Sequence, residues 1–188
     1  PVVADLDAQI MRGLYRWADA GNSKHRATMV FSGSAHSAAR EAVAELESRW
    51  DVSCDVWSAT SYKTLRENAL DVERWNRLHP TSAPRQADVT RLLDDGSGPI
   101  IAVTDYMKSV ADQVAPFVDK RFVPLGTDGF GRSDTRDALR RHFETDAAHV
   151  EVAVLSALAT AGRLDPDVVR DAITAHGIDP DAPDPLLT

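Results

Sequence analysis

The sequence contains only one cysteine, Cys54, which lies in an apolar run. A single cysteine cannot form a disulfide within its own chain, so the sequence is not that of a small disulfide-stapled secreted domain. A reducing compartment fits this composition, and we expect the cytoplasm. Because the residues around Cys54 are apolar, we expect a buried, unreactive thiol rather than a nucleophile.

Long apolar runs and basic clusters are also missing. We find no stretch of ~20 apolar residues that could span a bilayer, and we expect no signal peptide. The chain has 21 Lys and Arg residues against 29 Asp and Glu residues, and its formal net charge is −8. Because the two signs are interspersed, we expect no basic face for phosphates or anionic lipids. Neither nucleic acid nor a membrane is an expected partner.

Motifs for metal, nucleotide and nucleophile chemistry are absent. The six histidines, at positions 25, 36, 79, 142, 149 and 176, include no pair with the spacing of a zinc motif and a carboxylate between them, so we expect no metal site. No glycine pattern matches a dinucleotide-binding motif or a P-loop, and no serine stands in a Gly-x-Ser-x-Gly elbow. Because these motifs are absent, they identify no candidate catalytic residue.

Apolar segments alternate with amphipathic ones along the 188 residues, a length typical of one domain. Apolar runs predict core strands at residues 28–31, 52–57, 99–104 and 122–125. Helical periodicity predicts helices at residues 37–50, 62–78, 84–93, 107–118, 133–144, 147–161 and 165–173. This alternation predicts an α/β fold with an open, mostly parallel sheet and helices on both faces.

Three further segments refine this prediction. Residues 5–18 are expected to form a short helix and an edge strand, the strand pairing with residues 28–31 as an antiparallel hairpin. Residues 147–161 are apolar on nearly every face, which indicates burial on more than one side. Prolines and aspartates in residues 179–188 predict a loosely ordered tail. We interpret residues 1–188 as one domain.

Polar loops follow the predicted core strands, at residues 32–37, 58–61, 104–108 and 126–134. Ligands of such sheets bind at the carboxyl ends of the strands, so these loops are where chemistry could lie. The candidate ligand or interface residues in the loops are Ser34, His36, Asp105, Tyr106, Asp128, Phe130, Arg132 and Ser133.

For two of the loops, both a structural role and a binding role remain open. The loop at residues 32–37 opens a helix, so its backbone N–H groups could hold an anion; the simpler alternative is that Ser34 or Ser37 only caps the helix. The loop at residues 126–134 has glycines at 126, 129 and 131. It is either a structural turn that buries Phe130 and lets Ser133 or Asp134 cap the next helix, or a ligand or interface loop.

Three stretches of the sequence resemble a known family. They are Asp-Val-Trp-Ser-Ala-Thr-Ser at residues 55–61 with Glu-Arg-Trp-Asn-Arg-Leu-His-Pro at 73–80, then Thr-Asp-Tyr-Met-Lys at 104–108, and Gly-Thr-Asp-Gly-Phe-Gly-Arg-Ser-Asp at 126–134. In this order and spacing they resemble the C-terminal domain of the homodimeric bacterial pyruvate dehydrogenase, within the transketolase superfamily. The resemblance runs from about residue 6 to residue 187.

The resemblance implies a five-stranded mixed sheet, with four parallel strands and one antiparallel strand, and helices on both sides. It also implies a parent oxidoreductase that decarboxylates pyruvate with thiamine diphosphate and Mg²⁺ and acetylates the lipoyl arm of its acyltransferase partner. In that family the cofactor lies between the first two domains of opposite subunits. The C-terminal domain supports the homodimer and binds no thiamine.

The family's cofactor motif, Gly-Asp-Gly followed later by asparagine, is absent from this sequence. The nearest match is Asp-Asp-Gly at residues 94–96, and no asparagine follows Asn76. Because the motif's carboxylate and amide hold Mg²⁺, the resemblance implies no catalytic, cofactor-binding or metal-binding residue here. It implies an inactive assembly domain whose loops face the remaining domains of its own chain or a second copy. The complex would also contain dihydrolipoamide dehydrogenase.

Two other functions are left open. The chain could be a stand-alone α/β module that binds a small anion, phosphate or a carboxylate, at Ser34, His36 and Arg132. It could instead be a docking domain for the acyltransferase or another component of the complex, as the equivalent domain is in heterotetrameric relatives.

Overall fold

Five strands form one sheet in the computed structural model, which describes residues 5–94, 96 and 98–187. The strands are β1 (Leu14–Ala18), β2 (His25–Phe31), β3 (Val52–Ala59), β4 (Ile100–Val103) and β5 (Phe122–Leu125). Their order across the sheet is β1-β3-β2-β4-β5. β2, β3, β4 and β5 are parallel to one another, and β1 is antiparallel to β3. The predicted open, mostly parallel α/β sheet is confirmed.

Eight α-helices connect and cover these strands within the described residues. They are α1 (Leu6–Arg12), α2 (His36–Trp50), α3 (Tyr62–Leu78), α4 (Asp88–Leu93), α5 (Lys108–Asp112), α6 (Arg136–His142), α7 (Ala147–Thr160) and α8 (Pro166–Ala175). One hydrophobic core joins α2, α7 and α8 to one face of the sheet. A second core joins α3, α4 and α5 to the other face. Helices therefore cover both faces, as predicted.

The partner of the N-terminal strand differs from the prediction. β1 does not form a hairpin with β2, because β3 lies between them and Leu14 pairs with Ala59 of β3. Every residue of β3 is buried, and Leu14 is buried with Trp57 in the second core. An apolar central strand needs a neighbour on each edge, so β1 supplies the second neighbour of β3.

Helix α7 is apolar on most sides because it is buried within the domain. It contacts α2, α8 and the sheet, and its side chains are part of the first core. Its buried residues include Val154, Leu158 and the charged Glu151. Burial on more than one side is thus confirmed, but the burial is internal, and α7 gives no separate indication of a covering partner.

Three helices are shorter than the sequence pattern predicted. Helix α4 begins at Asp88 rather than residue 84, after an extended segment that contains Pro84. The predicted helix at residues 107–118 is α5 followed by a 3-10 turn, Ala115–Phe117, in which Pro116 starts a new turn. Helix α6 covers only Arg136–His142, because Thr135 caps it.

The described part of the C-terminal segment ends in a 3-10 turn. Residues Pro185–Leu187 form a 3-10 turn in which Pro185 is buried, although Leu187 is exposed; residue 188 lies outside the described residues. Among the residues that the structure describes, no helix has the length and apolarity needed to cross a membrane.

Candidate functional site at the carboxyl edge of the sheet

The loops after β2 and β4 are joined at the carboxyl edge of the sheet by a buried pair of hydroxyls. The Ser32 hydroxyl donates to Thr104 Oγ1 at 2.7 Å, and the Ser32 N–H donates to the carbonyl of Val103 at 3.1 Å. Ser32 and Thr104 are both buried. The two loops therefore start from one fixed base.

Asp105 occupies the position at which the first loop could have held an anion. Its Oδ2 accepts the N–H of Ser34 at 3.0 Å, and its carboxylate lies against the α-carbon of Gly33. Gly33 has a φ of 56°, and a side chain there would collide with this carboxylate. The loop thus binds an anion from its own chain.

The alternative in which a serine caps α2 is wrong. The N-cap residue of α2 is Ala35, and no side chain makes a capping hydrogen bond there. The side chain of Ser37 instead accepts a hydrogen bond from Arg140 Nη1 at 3.0 Å, and the carbonyl of Ser34 accepts one from Nη2 at 2.8 Å. Ser37 therefore connects α2 to α6, and Ser34 connects the turn before α2 to α6.

The loops after β4 and β5 are also bonded to each other. The N–H of Thr127 donates to the carbonyl of Tyr106 at 2.8 Å, and its hydroxyl donates to the carbonyl of Asp105 at 3.0 Å. Asp128 accepts the N–H of Lys108 at 3.0 Å, which satisfies a free donor at the start of α5. Asp105 and Asp128 thus serve the structure of the edge itself.

The glycine-rich loop exposes Phe130 rather than burying it. Phe130 is 81% exposed. Helix α6 is capped by Thr135, whose side chain accepts the N–H of Ala138 at 3.3 Å, and not by Ser133 or Asp134. The interpretation as a purely structural turn is therefore wrong on both points.

Phe130 is one member of an exposed apolar surface, which we call the edge patch. Gly129 has a φ of 96° and lies directly against the backbone of Pro185, which brings the loop to the C-terminal turn. The edge patch consists of Tyr106, Met107, Phe130, Leu186 and Leu187, with exposed fractions of 58%, 58%, 81%, 54% and 82%. Three segments of the chain thus present large apolar side chains at one end of the molecule.

The three residues proposed for an anion do not line one common cavity among those found in the described residues. Ser34 lines a crevice between the ends of β2 and β4, whereas Arg132 lines a different cavity beside the C-terminal segment. The exposed His36 ring packs near Phe31, with the ring centroids 6.4 Å apart. Ser133 is exposed. Ser34 and Arg132 thus line different cavities, and His36, two residues from Ser34, lines neither of them.

The crevice contains residues that sequence reasoning missed. It has a volume of about 340 Å³ and includes Arg136, Arg140 and Thr145 besides residues of the loops. Arg136 and Arg140 stand one helical turn apart, which places both on one face of α6. That spacing was visible in the sequence, but the packing of this face over the crevice was not.

Among the described residues, the pKa values of Cys54, Tyr62, Asp146 and Arg170 are altered, and Cys54 and Asp146 illustrate two physical causes. Burial raises the pKa of the Cys54 thiol to about 12, so the thiol stays protonated and unreactive as expected. Burial alone would raise the pKa of Asp146, but hydrogen bonds from His149 outweigh burial and lower it. Neither group lies at the carboxyl-edge loops.

Comparison with known proteins gives a consistent result. The family model described as the transketolase-like TK C-terminal domain matches residues 13–146. The "Pyruvate dehydrogenase E1 component" of Pseudomonas aeruginosa is 44% identical over 179 residues, covering 94% of this chain and 20% of the relative. Its counterparts from Escherichia coli K12 and Mycobacterium tuberculosis are 43% and 42% identical, each covering 95% of this chain. These relatives confirm the resemblance found in the sequence.

Solved structures support the fold. A transketolase from Campylobacter jejuni aligns with a TM-score of 0.54 at 19% identity, covering 83% of this chain and 20% of that one. A split-gene transketolase, described as an inactive β4 tetramer, aligns with a TM-score of 0.52 at 19% identity, covering 79% of this chain and 42% of that one. This chain spans 19–21% of the length of the curated relatives it matches. With its five-stranded sheet and its matched residues 13–146, the chain belongs to the transketolase-like TK C-terminal domain family.

Proposed function

We propose that this chain is the C-terminal domain of a longer pyruvate dehydrogenase E1 component, and that its role is assembly rather than catalysis. One observation carries the proposal. The chain aligns over 94–97% of its own length with relatives of that name, yet it spans only 19–21% of theirs. A likeness of this kind is expected of one domain of a longer protein.

The activity proposed for the whole protein is oxidative decarboxylation of pyruvate. Thiamine diphosphate and Mg²⁺ would supply the carbanion chemistry in the remaining domains. The acetyl group would pass to the lipoyl group of an acyltransferase, and dihydrolipoamide dehydrogenase would complete the complex. We propose the cytoplasm as its location and a homodimer as its form.

The described residues offer no site that fits the Mg²⁺ of the thiamine cofactor. Within residues 5–94, 96 and 98–187, no group of three or more His, Cys, Asp or Glu side chains could hold a metal ion. The Asp-Asp-Gly sequence occupies residues 94–96, and its central residue, Asp95, lies outside the described residues. We assign no Mg²⁺ ligand and no cofactor contact to this chain, and derive no catalytic step through it.

The edge patch supports an assembly role. Large exposed apolar patches mark sites of interaction with other polypeptides, membranes or ligands, and the family of this chain favours a polypeptide. Its most exposed members, Phe130 and Leu187, are 81% and 82% exposed. We propose that the remaining domains of the same polypeptide, or the second copy, cover the patch.

The test uses the whole protein with a charge placed in the patch. Phe130→Glu should weaken the homodimer at least about tenfold, since a buried carboxylate without a partner costs more than 1.4 kcal/mol. Sedimentation equilibrium would measure the dimer dissociation constant. Leu78→Glu is the control, because Leu78 is 55% exposed but lies at the end of α3, away from the patch. An unchanged dissociation constant for Phe130→Glu and for Leu187→Glu would contradict coverage of the patch by the second copy. An unchanged thermal-unfolding midpoint of the whole protein as well would contradict coverage by its remaining domains, and with it the assembly role.

The docking alternative is tested by a different measurement. If the domain is a docking module, the isolated chain should capture the purified acyltransferase core. Failure to capture the core would leave assembly of the E1 component as its role. The stand-alone alternative predicts a native polypeptide of 20.5 kDa on a denaturing gel of cell extract. We expect a band several times heavier, from the length of the relatives.

A further inference from the structure

The crevice at the carboxyl ends of β2 and β4 lies where the connections of the sheet change direction. The chain leaves β2 toward α2 on one face of the sheet, and it leaves β4 toward α5 on the opposite face. In open α/β sheets, ligands bind in the crevice at this topological switch point. Here the crevice has a volume of about 340 Å³.

One face of α6 forms the far wall of the crevice. Arg136, Leu139, Arg140 and Phe143 follow the spacing that puts side chains on one helix face, and all four line the cavity. This face therefore combines two guanidinium groups with two apolar side chains. Ala35, from the turn after β2, adds a further apolar surface.

The two arginines differ in how they are held. Arg140 is fixed by its hydrogen bonds to the Ser34 carbonyl and the Ser37 hydroxyl, at 2.8 and 3.0 Å. The side chain of Arg136, an exposed residue, makes no hydrogen bond or ion pair with the part of the chain that the structure describes. A guanidinium binds carboxylate and phosphate through paired N–H donors. The fixed guanidinium of Arg140 and the neighbouring guanidinium of Arg136 could therefore bind an oxyanion together.

The rest of the lining supplies hydroxyls and two carboxylates. Thr104, Thr127 and Thr145 line the crevice, and Thr104 and Thr145 are 0% and 5% exposed. The carboxylates of Asp105 and Asp134 already accept the N–H groups of Ser34 and Thr135, at 3.0 and 2.7 Å. One backbone hydrogen bond leaves each carboxylate its negative charge and further acceptor sites, so the two aspartates offset part of the attraction of the arginines for an anion.

We propose that this crevice binds a small organic molecule with one oxyanion group and a short apolar body. The oxyanion, a carboxylate or a phosphate, lies between Arg136 and Arg140. The apolar body lies against Ala35, Leu139 and Phe143. The volume of the crevice is near the lower limit for small-molecule sites, which suits a ligand of metabolite size. The proposal goes beyond the assembly role and does not depend on it.

The test titrates the chain with two probes and follows backbone amide shifts by NMR. Inorganic phosphate tests the anion alone, and butyrate tests a carboxylate with an apolar tail. The chain contains a core on each face of its sheet and is suitable for this measurement. We expect at least one probe to saturate with a Kd of about 1 mM or tighter, with shifts centred on residues 34–35, 104–105, 136–140 and 143–145.

Arg136→Gln is the decisive variant, since it removes a cation that makes no bond within the described chain. It should weaken binding at least about tenfold, while Arg74→Gln, on exposed α3 surface, should leave the Kd unchanged. Butyrate binding without phosphate binding would identify a carboxylate ligand, and the reverse would identify a phosphate. No saturation by either probe, shifts centred elsewhere, or equal affinity of Arg136→Gln would overturn the proposal. None of these outcomes alters the dimer measurement at Phe130.

Discussion

Asp55 is a buried carboxylate in the middle of β3, and it holds together three parts of the sheet. Its Oδ1 accepts the Ala20 N–H at 3.2 Å and lies 3.4 Å from Nη1 of Arg16. Its Oδ2 lies 3.5 Å from Nη2 of Arg26. The side chain is only 9% exposed, whereas the two arginines are 33% and 34% exposed. The carboxylate thus connects β1, β2 and the turn between them to β3.

Asp55→Ala should destabilise the chain by about 2–3 kcal/mol, because both guanidinium groups lose an acceptor at a mostly buried place. The midpoint of urea denaturation would measure this change. Asp19→Ala is a matched control: Asp19 pairs with the same Arg16 at 2.7 Å but is 80% exposed. We expect its effect to be below about 0.5 kcal/mol. Equal changes in the free energy of unfolding for the two substitutions would show that the burial of Asp55 does not add to its contribution to stability.

The burial of a side chain could be predicted where its neighbours in the sequence determine its environment. Cys54 is 2% exposed, as its apolar neighbours predicted. Phe130 was not predictable, because its exposure depends on where the loop at residues 126–134 turns against Pro185. That contact joins segments more than fifty residues apart in the printed sequence.

At the scale of elements, the cap of α6 decides the shape of the crevice. Thr135 is extended, with φ −62° and ψ 154°, and its side chain accepts the Ala138 N–H. Capping at this residue makes Arg136 the first residue of the helix. The helix therefore begins with Arg136 and Arg140 toward the crevice, and the three residues before Thr135 remain in the loop.

Thr135→Ala should lower the free energy of unfolding by about 1 kcal/mol, since an N-cap hydroxyl satisfies a backbone donor that alanine leaves free. Thermal denaturation of the variant would show a reduced midpoint. Ser133→Ala, at the position that the sequence suggested for the cap, should change the midpoint little. A larger decrease of the thermal midpoint for Ser133→Ala than for Thr135→Ala would show that Ser133, and not Thr135, caps α6.

Elements with strong local patterns were predicted well. Helix α3 and strand β5 have the predicted bounds, because periodicity and flanking prolines or glycines act within a few residues. The errors lie at helix ends near Pro84, Pro116 and Thr135. There, several residues could start or end the helix equally well, and packing against the rest of the chain selects one.

At the scale of the whole molecule, two cores enclose the sheet and the edge patch remains uncovered. The first core lies under α2, α7 and α8, and the second lies under α3, α4 and α5. Because both faces are filled, the large exposed side chains at the carboxyl edge are not needed for the domain's own core. Their position supports the proposed contact with further polypeptide.

If the remaining domains of the longer protein bind the cofactor, the isolated chain should not bind it. Calorimetric titration with thiamine diphosphate and Mg²⁺ should give no saturable heat, since the described residues offer no cluster of metal ligands. The full-length protein, titrated under the same conditions, is the positive control. Micromolar binding by the isolated chain would contradict an assembly role without cofactor contact.

The sequence by itself determined the alternation of strands and helices, the parallel sheet and the family resemblance. Each of these depends on residues that are neighbours in the chain or on motifs in a fixed order. Only the tertiary structure decided that β1 pairs with β3, that Asp105 fills the anion position of the first loop, and that Arg136 and Arg140 meet Thr104 across one crevice. These contacts join segments distant in sequence, and their geometry follows from the packing of α2 and α6 at the edge of the sheet, which no local pattern encodes.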